Sequence, residues 1–375
     1  MTTVVSMTER MSGLSNFGSG APPKPLLLGW ISKEEQLSGE VAPHLSRLFA
    51  AGTNDYKDVS MKKLALFTCL LGLAISVSAQ DTLINPQDDS QLQSIYQLKP
   101  GDPPILGPMW AQGSMEERLQ DYLFLYPLMY WHGGSVMPTV NVTPIFWGGR
   151  WKNAAFRGDK ITGMDAWYGG FGNSNYAATS NEYQGSNGQV TSQVNANPHL
   201  EDFDTSAWSG NYPKKILAEV CSLIANPDPS GYYPVYTDLR RPGGVGYCAY
   251  HSFGSCGNTP VQFAFFWDLT NDSYCSLRQG SPDHSRGLDN LSNASAHELS
   301  EARTDPRAGG WYDFTGFSGE NGDKCVFVYL PGPKGLVAFS DGTQWRVQGE
   351  WSNNAYLTKT GYPNKLGQKG CLLGN

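Results

Sequence analysis

Residues 295–325 read SAHELSEARTDPRAGGWYDFTGFSGENGDKC, and this stretch organises the chain. It carries His297, Glu298, Glu301, Asp305, Asp313, Glu320 and Asp323 within about thirty residues. Residues 293–303 are rich in Ala, Leu and Glu and contain neither Gly nor Pro, which predicts a helix. That helix should stop near Thr304, because Asp305 precedes Pro306 and is pushed out of the helical region. His297 and Glu301 stand at i and i+4 and so project from one face. Glu298 points about 100° away from His297. Ser295-x-x-Glu298 can also be read as a capping box, with Glu298 closing a helix N-terminus.

The helix is a variant of H-E-x-x-H, in which two His hold zinc and the Glu is the general base toward activated water. Here the second His is Glu301. A carboxylate ligates zinc too; it also makes the site harder and widens the choice to Mn or Ca. One divalent metal, zinc first, is therefore expected on His297 and Glu301. Glu320 is the first choice for a third ligand and Asp323 the second, because the Gly-rich stretch 316–322 lets the chain turn back over the helix. Glu298 is the expected proton acceptor. Asp305 is expected to cap the helix or to support a ligand from outside. His251, in YCAYHS, is either a neighbour of the metal or a core histidine. For Asp305, Glu320 and Asp323 the plainer reading is turn chemistry beside Gly.

The chain has 375 residues, 40% hydrophobic and 16% charged, with a net charge of -7. That suffices for one large domain or two small ones. No Lys/Arg run or basic patch suggests a nucleic-acid partner. Low charge with 43 Gly, 19 Tyr and 11 Trp suits an exported, loop-rich fold. Met61-Lys62-Lys63, the apolar run to Ser76 and the small residues Val77-Ser78-Ala79 have the three-part build of a secretory signal peptide. The run is short for a membrane span. The expected organisation is a low-order extension over 1–60, with Met61 as the true start, a signal over 61–79, a polar leader over 80–112 and one domain over 113–375. No membrane span is expected once the signal is cleaved. Cys69 falls in the signal. The other six, Cys221, Cys248, Cys256, Cys275, Cys325 and Cys371, read as disulfides with fifteen connectivities open. Cys248 with Cys256 is expected as a short loop, and Cys325 with Cys371 as a tie on the C-terminal tail.

Strand patterns occupy 136–147, 232–237, 245–251 and 261–268, with shorter ones at 325–330, 336–339 and 345–347. Helices are expected over 116–130, briefly within 163–183, and over 213–225, where Asn226-Pro227 ends the last. The order predicts a single α+β domain: a twisted mixed sheet, packed helices and a disulfide-tied tail. Asn141, Asn271, Asn290 and Asn293 are glycosylation sequons.

GGSVMPTVNVTPIFWG, GYCAYHSFG, VQFAFFWD and AHELSEARTDP…WYD…ENGDKC, in this order, resemble the phosphate-induced, EXORDIUM-like family of secreted proteins, above all its microbial members. The resemblance runs from Gly133 to the C-terminus. It places emphasis on Cys248, His251, Cys275, His297, Glu298, Glu301, Asp305, Glu320, Asp323 and Cys325. The plant members imply an extracellular, cell-wall-associated role in growth control. The helix is also similar to that of zincin-like metallopeptidases, save for the missing second His. Two functions follow as expectations. One is a secreted metal-dependent hydrolase, with peptide bonds the substrate by analogy. The other is a non-enzymatic extracellular protein whose Trp and Tyr stack on a cell-wall polymer.

Overall fold

The computed structural model describes residues 98–114, 116–117, 126–314, 319–329 and 335–374. The extension over 1–60, the signal with Cys69, residues 80–97 of the leader and residues 118–125 of the expected 116–130 helix lie outside them.

The backbone of the fold is one mixed eight-stranded sheet. Its strands are β1 (Leu106–Trp110), β2 (Val140–Val142), β3 (Ile145–Trp147), β4 (Val194–Ala196), β5 (Leu200–Asp202), β6 (Gly231–Arg240), β7 (Tyr247–Cys256) and β8 (Thr259–Asp268). β7 and β8 form an antiparallel hairpin in register from Ala249↔Phe266 to Cys256↔Thr259. Gly257 opens its two-residue turn at φ +60, a conformation that suits Gly. β8 pairs in parallel with β6. β6 then pairs in parallel with both β2 and β3, which carry β4 and β5 beyond them. The expected run over 136–147 is thus two strands rather than one. Pro144 lies between them and has no N–H to give a ladder.

β1 is the antiparallel edge neighbour of β7, with Leu106 opposite His251 and Met109 opposite Ala249. This corrects the reading of 80–112 as a surface leader. All five residues of β1 are buried, and the apolar side chains Leu106, Met109 and Trp110 join the sheet.

Three helices pack on this sheet: α1 (Lys160–Phe171), α2 (Pro213–Leu223) and α3 (Arg286–Thr304). α2 begins with Pro at its first turn, where the missing N–H costs nothing. α3 crosses β1, β6, β7 and β8. It stops at Thr304 as expected but starts well before 293. Ser285 is its N-cap, accepting from the Leu288 N–H through Oγ at 3.2 Å. Ser295 is therefore no cap: it sits in mid-helix with its hydroxyl 2.6 Å from that of Tyr236. Every residue of α3 after Arg286 is buried, including the polar ones.

The tail forms a small sheet from Glu350–Trp351, Tyr362–Pro363 and Lys369–Leu372. The strand expected over 325–330 is absent among the described residues. A 3-10 turn, Asp323–Cys325, stands at its start instead. Residues 126–129 of the expected helix are irregular, and Tyr130–Trp131 pairs with Trp311–Tyr312.

Three disulfides join Cys221 to Cys256, Cys248 to Cys275 and Cys325 to Cys371. The tail tie is as expected. The Cys248–Cys256 loop is not. Both residues lie on β7, eight positions apart, and an extended strand holds such residues about 26 Å from each other, far beyond disulfide reach. Three disulfides, with no helix among the described residues long and apolar enough to cross a membrane, are compatible with an extracellular protein.

Candidate metal centre

The centre is built where α3, β7, β1 and the 319–325 loop meet. α3 supplies His297, Glu298 and Glu301. β7 supplies His251, and the loop supplies Glu320 and Asp323. All are fully buried, Asp323 at 1% exposure and the rest at 0%. A helix so polar and so enclosed is the informative anomaly of this fold, because ionisable side chains are almost never buried unless paired.

The side chains form two groups. In the first, His297 Nε2 lies 3.1 Å from Glu301 Oε1 and 3.7 Å from Asp323 Oδ1. In the second, His251 Nε2 lies 3.3 Å from Glu320 Oε1 and 4.0 Å from Glu301 Oε2. Each group brings three ligand-type atoms within 4.8 Å of one another. The neighbour of His297 is thus Asp323 rather than Glu320. His251 belongs to the centre and is no isolated core histidine. Both groups are able to hold a metal ion.

Neither contact is an ion pair. Burial holds both imidazoles below their usual range, His251 down to about 3 with His297 adding to the effect. Neutral imidazole is the ligating form. The carboxylates move the other way. Burial pushes Glu298 up, and the charges of Glu301 and Asp323 add to it. Glu301 and Glu320 are raised well above the usual carboxylate range, first by burial, then by neighbouring acids. Among the described residues no Lys or Arg forms an ion pair with Glu298, Glu301 or Glu320. Nearby Lys324 is turned to Asp313, 2.5 Å away. Arg303 gives Nη2 to the carbonyls of Ala177 and Thr191, both at 2.8 Å.

Several polar atoms of the centre make no hydrogen bond among the described residues: His297 Nε2 and the Oε2 atoms of Glu298, Glu301 and Glu320. The partners that do exist fix orientation. The Asp323 N–H donates to Glu301 Oε1 at 3.0 Å. The Met109 N–H of β1 reaches Glu298 Oε1 at 3.4 Å. Gln348 Nε2 donates to the Gly322 carbonyl at 2.8 Å and lies 3.1 Å from His297 Nδ1. Nδ1 is then the acceptor, and the proton of the neutral ring sits on Nε2.

Asp305 stands apart. Its Oδ1 accepts from the Gly309 and Gly310 N–H groups, both at 2.7 Å, so it shapes the turn after α3. Burial still raises it to about 6.

Two glycines press on the centre. A Cβ on Gly107 of β1 would sit 2.1 Å from Glu301 Oε2 and 2.9 Å from His251 Nε2. One on Gly322 would sit 2.8 Å from Glu301 Oε1 and 3.0 Å from His297 Cγ. Sequence reading missed Gly107, Gly322 and Gln348. The one signal for His251 was a lone ionisable residue in an otherwise apolar strand.

The other three described histidines are elsewhere. His199 pairs with Asp165 at 2.9 Å, His132 stacks on Tyr312, and His284 stacks on Trp345. Most Trp are core: Trp110, Trp147, Trp151, Trp167, Trp267, Trp345 and Trp351 are buried. Exposed aromatics gather at Tyr126, Tyr130, Trp131 and Phe314, where Phe314 contacts both tyrosines. Of the sequons, Asn290 and Asn293 are fully buried in α3, whereas Asn271 is exposed.

Comparison with family models, curated proteins and solved structures gives no match for this chain.

Proposed function

We propose that this is a secreted, EXORDIUM-like protein built around a divalent-cation centre, with zinc the first choice of ion and His297, Glu301 and Asp323 its ligands. One observation carries the reading. Two imidazoles and four carboxylates share a fully buried core, and no Lys or Arg pairs with Glu298, Glu301 or Glu320 among the described residues. Several kcal/mol per ion is the usual cost of an uncompensated buried charge. A cation with nitrogen and oxygen ligands removes that cost, and the donor set suits zinc, with Mn and Ca as harder alternatives. The Gly107 and Gly322 backbones leave room for the ligands and for nothing larger.

Loading asks something of the chain itself. The proton on His297 Nε2 has to pass to Nδ1. Oε1 of Gln348, which has no hydrogen bond in its present orientation, can accept it only if the amide turns and gives up the Nε2 bond to the Gly322 carbonyl. The ligand loop is held by the Cys325–Cys371 bond two residues after Asp323.

A second reading, the metal-dependent hydrolase, draws support from Glu298. Its Oε2 makes no hydrogen bond among the described residues, and its carboxyl is influenced by Glu301 and Asp323, as suits a proton acceptor toward water. When bound, the cation would polarise a carbonyl and ease deprotonation of water. Glu298 would take that proton, and β1 would have to leave the centre for a substrate to enter.

The test is elemental analysis of the full-length exported protein with His297→Ala and Glu298→Gln. Cation present in wild type and reduced in His297→Ala supports the centre. Retention of cation by Glu298→Gln, with loss of peptide hydrolysis, supports the enzyme. A folded wild-type protein carrying no divalent cation defeats both.

A further inference from the structure

We propose that the centre holds two divalent cations, not one, with the Glu301 carboxylate as the bridge between them. This deepens the preceding reading and rests on it. Glu301 is the one residue common to both groups, and it divides itself between them. Its Oε1 faces His297 at 3.1 Å, and its Oε2 faces His251 at 4.0 Å. Donors bound at ~2.1 Å around a tetrahedral ion lie about 3.4 Å apart. The imidazole–carboxylate distances in the two groups run from 3.1 to 4.0 Å and all three ligand atoms of each lie within 4.8 Å of one another, so each group comes close to the spacing of its own ion. A carboxylate placed this way joins two ions about 3.5–4 Å apart, the separation at which paired cations act on one oxygen.

Charge points the same way. Glu298, Glu301, Glu320 and Asp323 are four acids at 0–1% exposure. With all four ionised, two divalent ions balance their charge, whereas a single ion would leave two of the acids holding protons. Asp305 stays outside the count because backbone N–H groups hold it. The Oε2 atoms of Glu301 and Glu320, fully buried and without a hydrogen bond among the described residues, are the second observation pointing to a ligand at His251.

Manganese is the probe. The full-length protein is saturated with Mn(II), freed of excess, and assayed for Mn per chain and by electron paramagnetic resonance. Two Mn per chain, with the exchange-coupled spectrum of a close pair, is the expected result. Glu320→Gln and His251→Gln should each fall to one Mn with an uncoupled six-line spectrum, as should Asp323→Asn. Circular dichroism identifies any variant that fails to fold, and the two substitutions in the His251 group check each other. One uncoupled Mn in wild type, kept by Glu320→Gln and lost in Asp323→Asn, overturns the pair and leaves the single-ion centre. No Mn in the folded protein overturns both.

Discussion

Replacing Gly107 by Ala tests whether β1 seals the centre. Gly107 has φ +44, a region that costs an L-residue about 1–2 kcal/mol. Its new methyl would stand 2.1 Å from Glu301 Oε2, 2.8 Å from Glu301 Cδ and 2.9 Å from His251 Nε2. Both neighbours are fully buried. Such overpacking typically costs about 1–3 kcal/mol. Together the two terms give roughly 2–5 kcal/mol. At about 2–4 °C per kcal/mol for a domain approaching this size, Tm should fall by roughly 4–20 °C. Gly101→Ala is the matched control. Gly101 also has positive φ, +84, but a Cβ there meets nothing within 4 Å. It should lose only the backbone share, about 1–2 kcal/mol. Both melts are followed by calorimetry, with cation content measured on the same samples. Equal losses in the two variants, with cation content unchanged in Gly107→Ala, would refute the packing of β1 on Glu301.

Three further outcomes are expected. In cation-free protein the raised pKa values of Glu298, Glu301 and Glu320 mean that the folded chain keeps protons the unfolded chain has released. Their contribution is full below the unfolded value of 4.5 and is lost as pH rises towards the folded values. The lowered imidazoles of His251 and His297 oppose this below the unfolded value of 6.5, so stability should decline gently from pH 5 to 6.5 and more steeply from 6.5 to 7.5, by up to about 1.4 kcal/mol per pH unit for each net proton the folded chain retains. Urea midpoints check this, and the cation-loaded protein should not show that decline. The Cys221→Ser, Cys256→Ser pair opens a loop of 35 residues, a loss of about 4 kcal/mol by chain entropy; it should lower the urea midpoint and leave cation content intact. Arg303→Met leaves the buried Ala177 and Thr191 carbonyls without their donor and takes a positive charge from the surroundings of buried Glu350, and should cost about 1–3 kcal/mol. Adding Glu350→Gln should recover part of that in a double-mutant cycle.

Where local pattern and tertiary packing agree, the fold was legible. The β-branched and aromatic runs of β6, β7 and β8 were recognisable, as was the apolar stripe of α2 with Pro at its start. The end of α3 was legible because Pro306 acts locally. Its beginning was not. Gly287, Asp289 and Asn290 are poor helix residues, but Asn290 Oδ1 accepts from the Leu277 N–H and Asp289 Oδ2 from the Ser281 N–H. These long-range bonds outweigh propensity. α1 was expected only as a short piece because of Gly163, Gly169 and Gly170. At Gly163 a Cβ would meet the Leu288 side chain at 2.2 Å, so helix packing selects the residue. The centre was half legible. His297, Glu298 and Glu301 announce themselves by helical spacing, and Glu320 and Asp323 by proximity. His251 and Gln348 are brought in by the sheet and the tail, and chain distance hides such partners.

The edge position of β1 has a kinetic consequence. Its five residues pair along the edge of β7 opposite β8, with Gly107 laid on Glu301. An ion caught beneath it leaves only when that border strand unzips. Release should then follow the rhythm of local opening, and a strong chelator should empty the protein slowly, at a rate indifferent to chelator concentration.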